Sequence, residues 1–429
     1  MSAVALPQEF DFAPLPLNSV TAGNQEQWVS KPSDSGGGAP YYAGPSTTIQ
    51  FTIASGDSVM RTNSSYLRFK VTPVDANNNP VFGSDCRITK TGLAAVIGRL
   101  TIQVGPTLVE SIDLYGNSLL PLIYESSSNT KKDALQQFEG YGLTDLFTVN
   151  NGYYCYHPIQ STLFSTDQVF PLAALDGSVV ITLYLNTPEA FFTSFGTAKP
   201  VAKFALEDVS FNYQLVVPNP RYTMEMRSGI LSNKTLKVPY SRCKQMISYG
   251  SGGTENIVNV PVGPVESLNS LYLQMKSQAD LTTQSVSTDK AIISKPFSLA
   301  KYYFTLGSQM VPQGRRFGYA SPGSATGTDI EAAWLSIVSQ TGAYDYDKDA
   351  KISAKFDTEN FRLGVTLSGS STNTFGAGYN LMGDSTCRVH MTFNNPLPTT
   401  TRIEATAFVD SYILIGNGFV QVIDRDLQH

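Results

Sequence analysis

The sequence predicts an all-β chain, folded as two β-sandwich domains in tandem. Three observations carry that expectation. Apolar and polar residues alternate with a period of two over several runs, the periodicity of a strand with one buried face. Strong helix formers are scarce, while Thr, Ser, Val, Asn and Gly are plentiful beside 22 Tyr and 23 Phe, a mix that favours strands joined by turns. Finally, features of the first half recur in the same order in the second. At 429 residues the chain exceeds one ordinary core, which also argues for two domains.

Residues 1–45 read as an extended N-terminal arm, rich in Pro, Gly, Ser and Gln, with Gly36-Gly37-Gly38 and no steady periodicity. Such an arm would reach a neighbouring subunit, and the plainer reading is a disordered terminus. The first domain is expected over 46–220. Ile49, Phe51 and Ile53 open it, then Leu67, Phe69 and Val71 alternate with Arg68 and Lys70. Leu100, Ile102 and Val104 follow, then Ile112 and Leu114, then Val179 to Leu185. The last run is Val209, Phe211, Tyr213, Leu215 and Val217.

After Pro218-Asn219-Pro220 the chain restarts, giving a second domain over 221–422 and a tail over 423–429. Gly116 to Pro121 (GNSLLP) pairs with Gly307 to Pro312 (GSQMVP). Asp176 to Pro188 (DGSVVITLYLNTP) pairs with Asp384 to Pro396 (DSTCRVHMTFNNP). The run around Tyr213 (VSFNYQLVV) pairs with that around Tyr412 (FVDSYILIG). Each half also carries one short helix between the first and second of these matches. Thr130 would cap the first and Gly140 stop it. Thr328 and Glu331 would form a capping box for the second, with Trp334 on its apolar face.

The bulk properties exclude several classes. The net charge is −5, and the arm holds Glu9, Asp11, Glu26 and Asp34 against Lys31, so neither is built to neutralise phosphates. No secretory leader is expected at the N-terminus, and no apolar run approaches the ~18 residues of a membrane-spanning helix. Cys86, Cys155, Cys243 and Cys387 are far apart and read as free thiols made in a reducing compartment. The sequons at Asn63 and Asn233 carry little weight without a secretory route. Only 15% of residues are charged, against about 25% in a typical soluble domain. Such a surface suits a protein that covers much of its outside with partners.

No constellation of catalytic residues stands out. The three histidines, His157, His390 and His429, have no metal-ligand spacing. Cys155 and His157 share a strand face and could suggest a thiol with its base, but no third group orients them, so a structural role is expected. Gly250-Ser251-Gly252-Gly253 reads as a loop between strands, not a phosphate cradle. Asp345 to Asp349 (DYDKD) starts like a calcium loop, but Ala350 and Phe356 stand where glycine and glutamate are needed. Lys131-Lys132 and Arg315-Arg316 are isolated basic pairs. A jelly-roll glycosidase would need two carboxylates about 5 to 9.5 Å apart in a cleft, and nothing selects such a pair. No catalytic, cofactor or metal site is therefore assigned, and no cofactor is expected.

Two tandem β domains, an extended arm, free thiols and no active site together resemble the double jelly-roll major capsid proteins of tailless icosahedral viruses, mostly with double-stranded DNA. The stretches that carry the likeness are SYLRFKVTP (65–73), VESIDLYGNSLLPL (109–122), FPLAALDGSVVITLYLN (170–186) and TTRIEATAFVDSYILIGN (400–417). The likeness runs over residues 46 to 422. It implies two eight-stranded jelly-roll sandwiches with short loop helices. It also implies a homotrimer whose six barrels form a pseudo-hexagonal brick tiling an icosahedral shell. Implied partners are neighbouring capsid trimers, penton and minor capsid or scaffold proteins, and an internal membrane in some members, with no direct sequence-specific nucleic acid binding. The implied location is the virion, after synthesis and assembly inside the host cell. The alternative from another class is a jelly-roll receptor- or carbohydrate-binding spike protein.

Overall fold

The computed structural model describes residues 25–35, 40–125, 127, 129–165, 169–218, 220–232, 235–278, 294–311, 317–318, 361–367 and 378–424. The first half contains β1 (Gln25–Pro32), β2 (Tyr41–Tyr42), β3 (Thr48–Ile53), β4 (Val59–Val74), β5 (Arg87–Ile88), β6 (Ile97–Val104), β7 (Thr107–Ile112), β8 (Tyr153–His157), β9 (Val169–Phe170), β10 (Val179–Leu185), β11 (Phe192–Ser194) and β12 (Lys203–Val217). The second contains β13 (Leu236–Tyr249), β14 (Glu255–Asn259), β15 (Leu268–Ser277), β16 (Leu299–Leu306), β17 (Gln309–Val311), β18 (Phe317–Gly318), β19 (Leu363–Thr366), β20 (Cys387–Phe393), β21 (Thr401–Gly416) and β22 (Phe419–Ile423).

Each half folds into two facing antiparallel sheets. The first half has the orders β1-β12-β4-β8 and β3-β10-β6-β7, and the second has β13-β21-β15-β19 and β14-β20-β16-β17. With the eight main strands of each half numbered one to eight, both halves read one-eight-three-six and two-seven-four-five. That is the jelly-roll winding, made twice in one chain. The strands form where alternation predicts them. Ile181 lies between Phe51 and Ile102 across the four-stranded sheet, and Val389 lies between Val258 and Phe304 in its counterpart. These residues all point into the two cores.

The expected arm needs correction, because residues 25–32 are not arm. They form β1, paired with β12 along its whole length from Gln25↔Val217 to Pro32↔Ser210. Tyr41–Tyr42 also joins β12. An edge strand with one face open to solvent lacks the buried alternation that marks the others, and Pro32, which donates no ladder hydrogen bond, ends it.

The internal matches fare unequally. The second is in register, since both segments hold the seventh strand. In the first, Gly116 follows β7 in a π-helical turn (Tyr115–Leu119), whereas Gly307 sits in the β16–β17 hairpin. The counterpart of Gly307 is Gly105. Both open a two-residue hairpin at positive φ (+56° and +57°), and both donate their N–H to the carbonyl before the seventh strand, Ser178 or Thr386. In the third match both segments hold the eighth strand, but Tyr213 stacks inward on Phe211 while Tyr412 faces away from buried Ile413.

The first-half helix spans Asn129–Glu139, so Thr130 lies inside it rather than capping it, and Gly140 follows at φ +69°. The expected helix near Thr328 and Trp334 lies outside the described residues.

Candidate assembly surfaces

The four thiols are buried and unpaired. Burial pushes the Cys86 thiol up to about 11 and Cys387 to about 12, and holds Cys155 and Cys243 well above the ordinary range. None is a thiolate at neutral pH. His157 is not a base for Cys155. Its Nε2 meets the Tyr115 hydroxyl at 2.6 Å, and its Nδ1 faces Glu139 Oε1 at 3.1 Å and the Tyr124 hydroxyl at 3.3 Å. Tyr124 also donates to Glu139 Oε2, and the Gln160 N–H donates to the Tyr115 hydroxyl. The ring and the carboxylate are wholly buried. Desolvation holds both phenols well above their usual range, so they remain hydrogen-bond donors. This network ties the π turn after β7, two helices and β8 to one another, which is a positioning role.

The other candidates stay apart. His390 stacks on Tyr303 with ring centroids 4.4 Å apart. Lys131 and Lys132 lie on the Asn129–Glu139 helix, and Gly250 to Gly253 form the loop between β13 and β14. The acidic run 345–349, Arg315-Arg316, Trp334, Asn233 and His429 lie outside the described residues. Among the described residues no group of three or more His, Cys, Asp or Glu side chains is placed to hold a metal.

The chemistry that the sequence did not disclose lies where the two sandwiches meet. The segment from β7 to Leu122 packs on the second sandwich, chiefly on the outer face of its β13-β21-β15-β19 sheet. Gln245 Oε1 accepts the Leu114 N–H at 2.8 Å, and Gln274 donates to the Ser118 carbonyl at 3.3 Å. Lys276 Nζ donates to the Asn117 carbonyl at 2.7 Å and pairs with Glu404 at 2.7 Å. Arg402 meets the other oxygen of Glu404 at 2.9 Å. Leu122 closes the joint against Tyr272 and Phe408. Asn186 holds Asn117 in place, donating to its side-chain oxygen at 3.1 Å.

Alongside, Tyr240 donates to the Val109 carbonyl at 2.8 Å, and Ser241 exchanges hydrogen bonds with Thr162. Glu110 accepts from Ser161 and from the Cys243 N–H. Complete burial raises its carboxyl from 4.5 to about 7. Leu236, Val238, Tyr240, Ile413 and Ile415 join the first sandwich's core. The joint combines an apolar cluster with hydrogen bonds and ion pairs along its sides, and it leaves the buried Gln274 Oε1 without a hydrogen-bond partner among the described residues.

A cleft of about 560 Å³ opens beside this joint, lined in part by Arg99, Asp113, Asn117, Tyr184, Asn186 and Arg402. Its cations are matched: Arg99 pairs with Asp113 at 2.8 Å and lies over the Tyr184 ring, and Arg402 is held by Glu404.

On the corresponding outer face of the first sandwich, Ser210, Asn212 and Gln214 along β12 are buried, while rings on the flanking strands stand exposed. Trp28, Tyr154 and Tyr156 are 59%, 41% and 38% exposed there. Arg68 lies over the Tyr154 ring, Tyr66 meets Tyr156 at 6.3 Å, and Lys70 pairs with Glu207 at 2.8 Å.

No protein-family model and no curated protein matches this sequence. Solved structures do match in fold. The PBCV-1 virus capsid superposes with a TM-score of 0.64 at 9% identity, covering 93% of this chain and 96% of that one. The Faustovirus major capsid protein gives 0.59 at 8%, over 92% and 91%. The Sputnik virophage structure gives 0.57 at 12%, over 94% and 89%. The likeness is one of fold over nearly the whole length, and the fold of this chain is the double jelly roll.

Proposed function

We propose that the chain is a major capsid protein that assembles as trimers, each trimer a pseudo-hexagonal unit tiling an icosahedral shell. The observation that carries this reading is the joint between the sandwiches. The chain spends its polar and apolar complementarity on fixing two jelly rolls against each other. A rigid pair of like barrels is a building block, and identical blocks close into rings when a head-to-tail contact repeats through a closing rotation. The fold shared with structures described as capsids supports the same reading. Neighbouring trimers would be its first partners, with penton, minor capsid or scaffold proteins and a membrane as further ones. Its place would be the virion, after synthesis in the host cell.

Negative-stain imaging of the purified protein as concentration and ionic strength rise tests the proposal. Flat sheets or closed shells of hexagonal units are expected. A second reading, a receptor- or carbohydrate-binding protein, draws on the exposed rings of Trp28, Tyr154 and Tyr156. It predicts discrete particles that never tile and that retain a glycan.

A further inference from the structure

The cleft beside the joint is built by connections that strand pairing brings to one end of the two sandwiches. Thr48 pairs with Tyr184, Leu185 with Ile97 and Leu100 with Ile112, so the segments before β3 and β6 and after β7 and β10 meet there. In the second sandwich Ser277 pairs with Thr401, which brings Gln278 and Arg402 to the same cleft. A space of about 560 Å³ between two domains has the size and the place at which small-ligand sites recur.

Each guanidinium of the cleft has a carboxylate beside it, but one of those carboxylates is shared. Arg99 takes Asp113 at 2.8 Å. Glu404, beside Arg402, is buried and serves two cations: Arg402 Nε lies 2.9 Å from one of its oxygens and Lys276 Nζ 2.7 Å from the other. Burial pushes the Lys276 ammonium below its ordinary range, and the charges of Arg402 and Arg362 push it further down against the pull of Glu404. One carboxylate between two cations leaves a positive excess that a bound anion would offset.

The atoms left over suit one ligand chemistry. Arg99 turns Nη2 to the Ser111 hydroxyl at 3.2 Å and lies over the Tyr184 ring, which fixes its plane. Among the described residues no hydrogen bond engages its Nη1 or either Nη of Arg402. Planar guanidinium forks match a carboxylate. Asn117 gives its side-chain oxygen to Asn186 and keeps its amide nitrogen as a donor. Asp113 meets Arg99 and Ser111 through Oδ1, which leaves Oδ2 as an acceptor on a side chain 56% exposed. A neutral donor and a carboxylate acceptor beside cations suit hydroxyl groups, and Asp113 would repel a ligand of high negative charge.

We propose that this cleft binds an acidic sugar: a ring that carries one carboxylate, met by Arg402 and Arg99, and hydroxyls, met by Asp113 and Asn117. The site belongs to the folded chain itself and not to any contact between copies, so its success or failure is separate from that of the assembly reading.

Isothermal titration of the full chain with glucuronate, N-acetylneuraminate, glucose and inorganic phosphate tests the proposal. The two sugar acids are expected to bind, more weakly as salt rises, and glucose is not. Arg402→Gln and Arg99→Gln should each weaken sugar-acid binding by about tenfold or more, since each removes a hydrogen-bonded charge. Arg388→Gln, an exposed position on β20 that does not line the cleft, should bind as the parent does. Arg99 is 43% exposed, so Arg99→Gln carries the test if Arg402→Gln melts lower than the parent. No heat from either sugar acid at millimolar concentration overturns the proposal. So does undiminished binding to an Arg99→Gln protein that melts like the parent. Phosphate binding as tight as that of the sugar acids overturns it too, because it marks a general anion site.

Discussion

Glu110 shows how a single buried group sets a condition on the joint between the sandwiches. Its carboxyl titrates near 7 instead of 4.5 because burial penalises the charge, and only Ser161, the Cys243 N–H and the more distant Arg242 offset that cost. The folded protein therefore binds this proton more tightly than the unfolded chain. The associated stability is present below about pH 4.5 and is lost as pH rises through about 7. A shift of that size corresponds to about 3 kcal/mol. Glu110→Gln mimics the protonated form, so its melting temperature should fall less than the parent's between pH 5 and pH 8.

His157→Leu should cost about 3 kcal/mol in urea unfolding, because Glu139 and the Tyr115 hydroxyl would lose a buried partner. Lys276→Met should cost about 3–5 kcal/mol, since it removes the cation beside buried Glu404 and the donor to the Asn117 carbonyl. At this scale the sequence revealed the free thiols and argued against a Cys155–His157 catalytic pair. It did not reveal Glu110, Lys276 or Glu404, because what makes each matter is a partner more than a hundred residues away.

Among the elements, legibility followed burial. Strands with one face in a core, such as β3, β6 and β10, announced themselves by alternation. β12 was read only from Val209 onward. A bulge between Glu207 and Ser210, with Asp208 at φ +52°, switches the inward parity from Phe204 and Leu206 to Phe211 and Tyr213. β1 was missed because its outer face is exposed, although its eight residues complete the six-stranded sheet. Truncation through Pro32 should leave the β12 edge unpaired and drive aggregation, which light scattering at the expression temperature would detect. The match of Gly116 with Gly307 failed for a related reason. Short Gly-containing turns recur throughout a β protein, and only the shared hydrogen bond to the seventh strand identifies Gly105 as the true counterpart.

For the whole molecule, the two-sandwich architecture was legible from repetition in order, while the joint that makes the sandwiches one body was not. That joint is built from non-repeating residues: the Leu114–Leu122 segment on one side, Gln245, Gln274 and Lys276 on the other. The mass of the purified protein in solution tests this account most directly. It predicts a species near three times 46.5 kDa that persists on dilution. A chain that remains a 46.5 kDa monomer at every concentration and ionic strength would contradict it.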